Sequence, residues 1–162
     1  MSRQLIIREV KEEDNLSLAE MIREVFEEHN APKTGTVYSD PTTYALYQLF
    51  RESKSILWVA EINGQVTGCC GVYPTRGLQP DTAELVKYYL PASARGQGIG
   101  KMLMERSVLS AIEFGYKKLY LESLPQFSKA VNLYKKQGFR ELKQPMGKSG
   151  HTSCNIWMLK EL

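Results

Sequence analysis

The glycine-rich segment LPASARGQGIGK, which runs from Leu90 to Lys101, decides how the rest of the sequence is interpreted. Its three glycines stand where a predicted strand turns into a predicted helix. Glycine permits positive φ angles and lets a ligand approach backbone amides, and the first turn of a helix has unpaired N–H donors and the positive end of the helix dipole. The segment is therefore typical of a loop that holds a phosphate group.

A nucleotide-binding P-loop does not fit this segment. That motif is a glycine, four other residues, a Gly-Lys pair and then a serine or threonine that binds magnesium. If the pair is Gly100-Lys101, the first glycine position holds Arg95 and the hydroxyl position holds Met102. The spacing therefore excludes a P-loop.

A dinucleotide-binding fingerprint, GxGxxG, fits only in part. Its third glycine would fall at Lys101 when counted from Gly96, and at Leu103 when counted from Gly98. The fingerprint also expects an acidic residue about 20 positions further on, and Glu122 stands at about that distance, at the end of a predicted strand. A dinucleotide-dependent oxidoreductase therefore stays an alternative function.

Hydrophobic periodicity and turn residues predict the elements around the loop. Strands are predicted at residues 4–10, 56–62, 65–73, 83–90, 118–122, 139–142 and 155–159. Helices are predicted from a cap at Asp14 to Glu28, over residues 41–50 and 99–114, and from an N-cap at Ser128 to Gln137. Asn63-Gly64 predicts a type I′ turn between the second and third strands. This order predicts a mixed sheet with helices packed against it.

The composition predicts one domain over residues 1–162, located in the cytoplasm. The chain has 43% hydrophobic and 24% charged residues, enough for one core. Its net charge of +3 is spread along the sequence, which argues against a nucleic-acid partner, and the absence of a long apolar run argues against a membrane partner. Cys69, Cys70 and Cys154 form neither a disulfide framework nor a metal-binding pair, so no metal is expected.

The loop and its flanks resemble the GNAT family of N-acetyltransferases. The family's coenzyme A signature is arginine or glutamine, two residues, glycine, one residue, then glycine or alanine, and Arg95, Gly98 and Gly100 match it. Residues 84–91, ELVKYYLP, resemble the family's fourth strand, and residues 130–139, AVNLYKKQGF, resemble its A..LY...GF segment. The resemblance implies the family's α/β (α+β) acyltransferase fold, a mixed, mostly antiparallel central sheet flanked by helices.

The resemblance also implies acetyl-CoA as cosubstrate. Its pantetheine arm would lie along the fourth strand and its pyrophosphate on the loop amides, while Lys101 would either add charge or remain a solvated lysine. The family often has an asparagine at the position of Phe127, so Gln126 or Ser128 would supply the hydrogen bond instead. The implied coenzyme-binding residues are Tyr88, Tyr89, Leu90, Arg95, Gly96, Gln97, Gly98, Ile99, Gly100, Lys101, Gln126, Ser128 and Tyr134.

Three residues are the candidates for catalysis. Tyr134 resembles the family's proton donor to the departing thiolate, although a tyrosine packed in the core with its hydroxyl satisfied locally fits the same pattern. Glu84 and Glu122 are candidates for the general base, because the family's fourth and fifth strands splay apart where the acceptor enters; a glutamate on a strand is also often a surface group. His151 and Cys154 have no orienting partner in the sequence and are assigned no role.

The resemblance therefore implies transfer of an acetyl group to the primary amine of a small molecule, amino acid or peptide, by direct attack of the amine on the thioester. A non-catalytic acyl-CoA sensor is the alternative from another class, because the family's asparagine is missing. The family also includes many dimers, so a homodimer is one option for the oligomeric state.

Overall fold

The computed structural model describes residues 4–162, and its centre is one seven-stranded sheet. The strands lie in the spatial order β1-β2-β3-β4-β5-β7-β6, and all neighbours are antiparallel except β4 and β5. Their bounds are β1 (Leu5–Glu9), β2 (Ile56–Ile62), β3 (Gln65–Tyr73), β4 (Thr82–Tyr89), β5 (Lys118–Ser123), β6 (Arg140–Leu142) and β7 (Ile156–Glu161). The predicted mixed, mostly antiparallel sheet is confirmed.

Helices cover both faces of the sheet. They are α1 (Asn15–Glu28), α2 (Leu46–Leu49), α3 (Ile99–Glu113) and α4 (Ser128–Lys136). α1 and α2 pack with Cys69 in one apolar cluster, whereas α3 and α4 pack with Cys70 in the other. Successive side chains on a strand point to opposite faces, so these two adjacent cysteines belong to different cores. Within residues 4–162, no helix is long and apolar enough to span a membrane.

The prediction of one continuous helix over residues 41–50 is wrong. A single 3-10 turn, Pro41–Tyr44, is followed by the short helix α2, because Ala45 lies outside helical geometry at φ −137° and ψ 44°. The Asn15 side chain at the start of α1 accepts a hydrogen bond of 2.8 Å from the Tyr47 amide. α2 thus begins anew at a contact with a distant segment, which a local pattern does not contain.

The predicted cap at Ser128 is also wrong, and the predicted cap at Asp14 is correct only in its position. Ser128 is the first residue of α4 instead of its cap, and Phe127 before it makes no capping hydrogen bond. Asp14 makes no side-chain cap to α1. Its carboxylate instead pairs with Arg8 at 2.8 Å and accepts the Lys11 amide at 2.7 Å, so this buried acid joins β1 to the segment before α1.

The sheet opens between β4 and β5. These parallel strands pair only as far as Glu84 and Tyr120, although β4 continues to Tyr89 and β5 to Ser123. On its other side β4 stays paired with β3, with one irregularity where two residues, Lys87 and Tyr88, lie opposite a single β3 residue. β4 therefore has a bulge beside an opening in the sheet, and bulges are frequent next to active sites.

Candidate active site

A cavity of about 640 Å³ occupies the opening between β4 and β5. α1, the glycine-rich loop and the start of α4 complete its walls. On the side facing this cavity, β4 has no strand partner beyond Glu84 among the described residues. An unpaired strand edge presents backbone N–H and C=O groups that an extended chain can join as an added strand. The opening therefore fits a long, flexible ligand such as a pantetheine arm.

The glycine-rich loop is shaped for close approach to its backbone. Gly96 and Gly98 have φ angles of +75° and +80°, which disfavour other residues, and a Cβ built on either would meet nothing within 4 Å. Gly98 directly precedes α3, so the free amides of the first turn face the same space. At Gly100 a Cβ would collide with the Tyr88 hydroxyl, so this glycine permits close packing. The loop fits a pyrophosphate.

The polar side chains of the loop mostly hold the loop itself. Arg95 donates to the Leu90 carbonyl from Nε at 3.2 Å and from Nη2 at 2.9 Å, and its guanidinium pairs with Glu28 of α1. Gln97 donates to the Ser93 carbonyl at 2.9 Å. Any binding by this loop therefore depends on its backbone more than on these side chains.

Two other residues predicted to bind the coenzyme, Ile99 and Lys101, lie in surroundings that differ from each other. Ile99 is only 2% exposed and belongs to the core beneath the loop, and its side chain is not part of the cavity wall. Lys101 lines the cavity but is exposed, and its Nζ lies 3.8 Å from a carboxylate oxygen of Glu105, one helical turn away. This geometry agrees with a solvated lysine on a helix surface.

Tyr134 lies on α4 with its ring between Tyr88 and Phe139, at centroid distances of 5.9 and 5.8 Å. The side chain is buried but lines the cavity, and its hydroxyl makes no hydrogen bond within residues 4–162. The alternative, a tyrosine packed in the core, agrees with this burial, but no residue of this range satisfies the hydroxyl. Burial raises the pKa of Tyr134 well above 10, so the phenol keeps its proton at neutral pH.

The start of α4 carries the departure from the family pattern. Phe127 packs edge-on against Phe26 of α1 at 5.3 Å and against Tyr89 at 6.3 Å. Where the family often has an asparagine, this chain thus joins α1, β4 and α4 by aromatic packing. Gln126 and Ser128 both line the cavity, as expected for residues that could replace the missing amide.

Glu84 is the last residue of β4 that pairs with β5, and the residue is 5% exposed. The Thr75 hydroxyl donates a hydrogen bond to it. Burial, together with the charge of Glu122, raises the pKa of Glu84 to about 7 in spite of that hydrogen bond. At neutral pH this group can therefore both accept and release a proton.

Glu122, two residues beyond the last β5 residue that pairs with β4, has different partners from Glu84. One carboxylate oxygen accepts a hydrogen bond of 2.7 Å from the Tyr120 hydroxyl, and the other accepts one from Ser149. The Tyr120 hydroxyl in turn accepts the Met146 amide at 3.1 Å. Both oxygens are thus engaged, so the carboxylate of Glu122 is held in one position by its two partners.

Three residues in or next to the cavity wall were not predicted, and two of them, His151 and Lys87, line the cavity. His151 and Asp40 form a pair in which Nε2 lies 2.9 Å from Oδ2. Burial opposes the charge of Asp40, but hydrogen bonds from His151 and Thr42 outweigh it and lower the pKa of Asp40 to about 2. Since 111 residues separate the pair, no local pattern could indicate it.

The third residue, Lys87, lies in the bulge of β4 with its side chain against the cavity. It is 7% exposed and has a φ of +57°, a conformation that costs a residue with a Cβ about 1–2 kcal/mol. The only sequence signal was a lysine inside an apolar predicted strand. Nearby Cys154 is no nucleophile, because burial raises the pKa of its thiol to about 12.

Known proteins share both the sequence pattern and the fold. The acetyltransferase (GNAT) family model matches residues 22–139. The chain is 34% identical to the uncharacterized N-acetyltransferase YjgM of Escherichia coli strain K12, over 97% of this chain and 95% of YjgM. Its fold is similar to a GNAT family acetyltransferase from Staphylococcus aureus Mu50, with a TM-score of 0.83 at 21% identity over 98% and 99% of the two chains.

A second solved structure shares this fold with a ligand in place. It is the PaiA N-acetyltransferase of Thermoplasma acidophilum in complex with coenzyme A, with a TM-score of 0.75 at 20% identity over 98% and 99% of the two chains. The structural likenesses show the fold, while the family model and the resemblance to YjgM cover most of the sequence. The chain belongs to the GNAT N-acetyltransferase family.

Proposed function

We propose that this protein transfers an acetyl group from acetyl-CoA to the primary amine of a small molecule, an amino acid or a peptide. The observation that carries this proposal is the opening between β4 and β5, where one cavity joins the glycine-rich loop, the free Tyr134 hydroxyl and the Glu84 carboxyl. Acetyl-CoA supplies the acetyl group already activated as a thioester.

The coenzyme would be held mainly by the backbone. The loop amides of residues 95–100 and the first turn of α3 fit the pyrophosphate, and the free edge of β4 around Tyr88 and Tyr89 fits the pantetheine arm. The Leu90 carbonyl already accepts two hydrogen bonds from Arg95. Leu90 therefore contributes less to this edge than the two tyrosines before it.

Two side chains would handle protons on either side of the thioester. Tyr134 keeps its proton because it is buried, and its free hydroxyl can donate that proton to the departing thiolate. Glu84 is the better candidate to accept the proton of the amine, because its pKa is about 7 and Thr75 is its only hydrogen-bond partner within residues 4–162. Glu122, with both oxygens engaged, would act through its charge on Glu84.

The first test compares thermal stabilisation of the protein by acetyl-CoA, CoA, NAD and ATP. A ligand at about 100 times its Kd adds about 2.7 kcal/mol, which for this chain length raises Tm by roughly 5–10 °C. We expect that shift with acetyl-CoA and CoA alone, followed by release of free thiol when amines are added. A shift with NAD alone would support the oxidoreductase, and binding of CoA without thiol release across a broad amine panel would support the sensor.

The pKa of Glu84 predicts how activity depends on pH. Below about pH 7 the carboxyl group is protonated and cannot accept a proton, so kcat/KM should rise with pH through that value. Glu84→Gln should lower kcat/KM by about 100-fold, the order typical of a lost general base, and remove this limb of the profile. The measurement is kcat/KM from pH 5.5 to 9.

An exposed glutamate provides the matched control for this variant. Glu141→Gln changes a residue on β6 that pairs with Lys135 at the surface, outside the cavity wall, and it should leave the profile unchanged. If Glu84→Gln keeps the same limb near pH 7, Glu84 is not the base.

A further inference from the structure

Lys87 faces the cavity because of the bulge in β4. In a regular strand, residues three apart point to opposite faces, so Lys87 and Glu84 would lie on different sides of the sheet. The extra residue in β4 and the positive φ of Lys87 change this alternation, and both side chains line the same cavity. The Cys69 thiol donates to the Lys87 carbonyl at 3.0 Å and so helps to hold the bulge.

The ammonium group of Lys87 has no partner. Within residues 4–162, no carboxylate oxygen lies within 4.0 Å of its Nζ, and it donates no hydrogen bond. The titratable groups that act on it are Glu84 of the same strand and, from other segments, Asp40, Cys69 and Cys154. Burial lowers the pKa of Lys87, whereas the two carboxylates favour its charged form.

The neighbouring acids, in contrast, already have partners. Asp40 is bound by His151 and Thr42, Glu84 by Thr75, and Glu122 by Tyr120 and Ser149. Buried charges in proteins are normally paired, and Lys87 is a mostly buried lysine whose ammonium group meets the cavity without a protein partner among the described residues. In a backbone conformation that disfavours lysine, this arrangement has no structural advantage. Among the charged groups at this end of the cavity, the one that lacks a partner is thus a cation.

We propose that Lys87 binds the carboxylate of the acceptor, so that the acceptor is an amino acid: a primary amine with a carboxylate a few bonds away. This inference rests on the proposed acetyl transfer and narrows its acceptor class. The amine would lie toward Glu84 and the carboxylate toward Lys87, three residues further along the same strand. One cation balances one negative charge, which suits a carboxylate better than a doubly charged phosphate.

The test compares matched acceptors on the wild-type protein. Amino acids with small, acidic, basic and aromatic side chains are each assayed beside their amides and their decarboxylated amines, at saturating acetyl-CoA. We expect kcat/KM to be at least about 100-fold higher for one or more free amino acids than for both analogues, because each analogue leaves the buried cation unpaired. If the amides and the amines have the same kcat/KM as every free amino acid, the inference is overturned and the proposed acetyl transfer stands.

Variants of Lys87 test the residue itself. Lys87→Met should lower kcat/KM for the preferred amino acid by about 100-fold more than it lowers kcat/KM for the amide of that amino acid, and Lys87→Arg should restore part of the loss. Lys143→Met removes an exposed lysine outside the cavity wall and should change neither rate. An unchanged Tm shift with CoA shows that each variant is folded. Equal rates for Lys87→Met and the wild type would overturn the assignment of Lys87.

A binding measurement separates this inference from the proposed function. Calorimetric titration of the protein–CoA complex with the same amino acids needs no turnover. We expect Lys87→Met to raise the Kd of the amino acid by about 100-fold, the counterpart of the loss in kcat/KM. If CoA binds but no amine is acetylated, acetyl transfer is overturned. The titration still tests whether Lys87 binds the carboxylate: a raised Kd in Lys87→Met supports this role, and an unchanged Kd overturns it.

Discussion

Replacing Gly98 with glutamate should abolish coenzyme A binding while the protein stays folded. Gly98 has a φ of +80° directly before α3, and the space around it is open within the protein. A glutamate there would put a carboxylate where the loop amides should meet the pyrophosphate. Placing like charges next to each other in a binding site costs several kcal/mol of binding free energy, so we expect the Kd of CoA to rise by at least about 100-fold. Calorimetric titration with CoA measures the change.

Two controls separate the carboxylate from backbone strain. Gly64→Glu introduces the same residue at a φ of +83°, also in open space, but in the turn between β2 and β3. It should lower Tm by a similar amount and leave CoA binding unchanged. Gly98→Ala carries the strain without the charge, so it should weaken CoA binding less than Gly98→Glu. Normal CoA affinity in Gly98→Glu would mean that this loop does not hold the pyrophosphate.

Local sequence signals predicted most of the fold. Asn63-Gly64 has φ angles of 50° and 83°, as the predicted type I′ turn requires, and β2 and β3 span the predicted residues. The glycine-rich loop also lies between a strand and a helix as predicted. In each case the property that decides the conformation belongs to a few neighbouring residues: tolerance of positive φ, or an apolar period of two or of 3.6.

The parts that the sequence could not predict depend on contacts between distant segments. α2 begins where Tyr47 meets Asn15, and His151 finds Asp40 across 111 residues. Lys87 is the most instructive case, because strand periodicity assigns it to the face opposite Glu84. Only the bulge, which arises from pairing with β3, turns it toward the cavity. The conformation of the glycine-rich loop was thus predictable from motifs, and the position of Lys87 was not.

Replacing Tyr134 with phenylalanine should lower kcat by about 100-fold and leave the Kd of CoA unchanged, because a lost general acid affects the chemical step. The Tyr134 hydroxyl has no hydrogen-bond partner within residues 4–162, so its removal should not lower Tm. Tyr116→Phe is the matched control: it changes a tyrosine of equal overall exposure that lies outside the cavity wall and whose hydroxyl donates to the Lys54 carbonyl at 2.8 Å. This control variant should lower Tm, because a hydrogen bond is lost, and should leave kcat unchanged. Undiminished kcat in Tyr134→Phe would exclude Tyr134 as the proton donor.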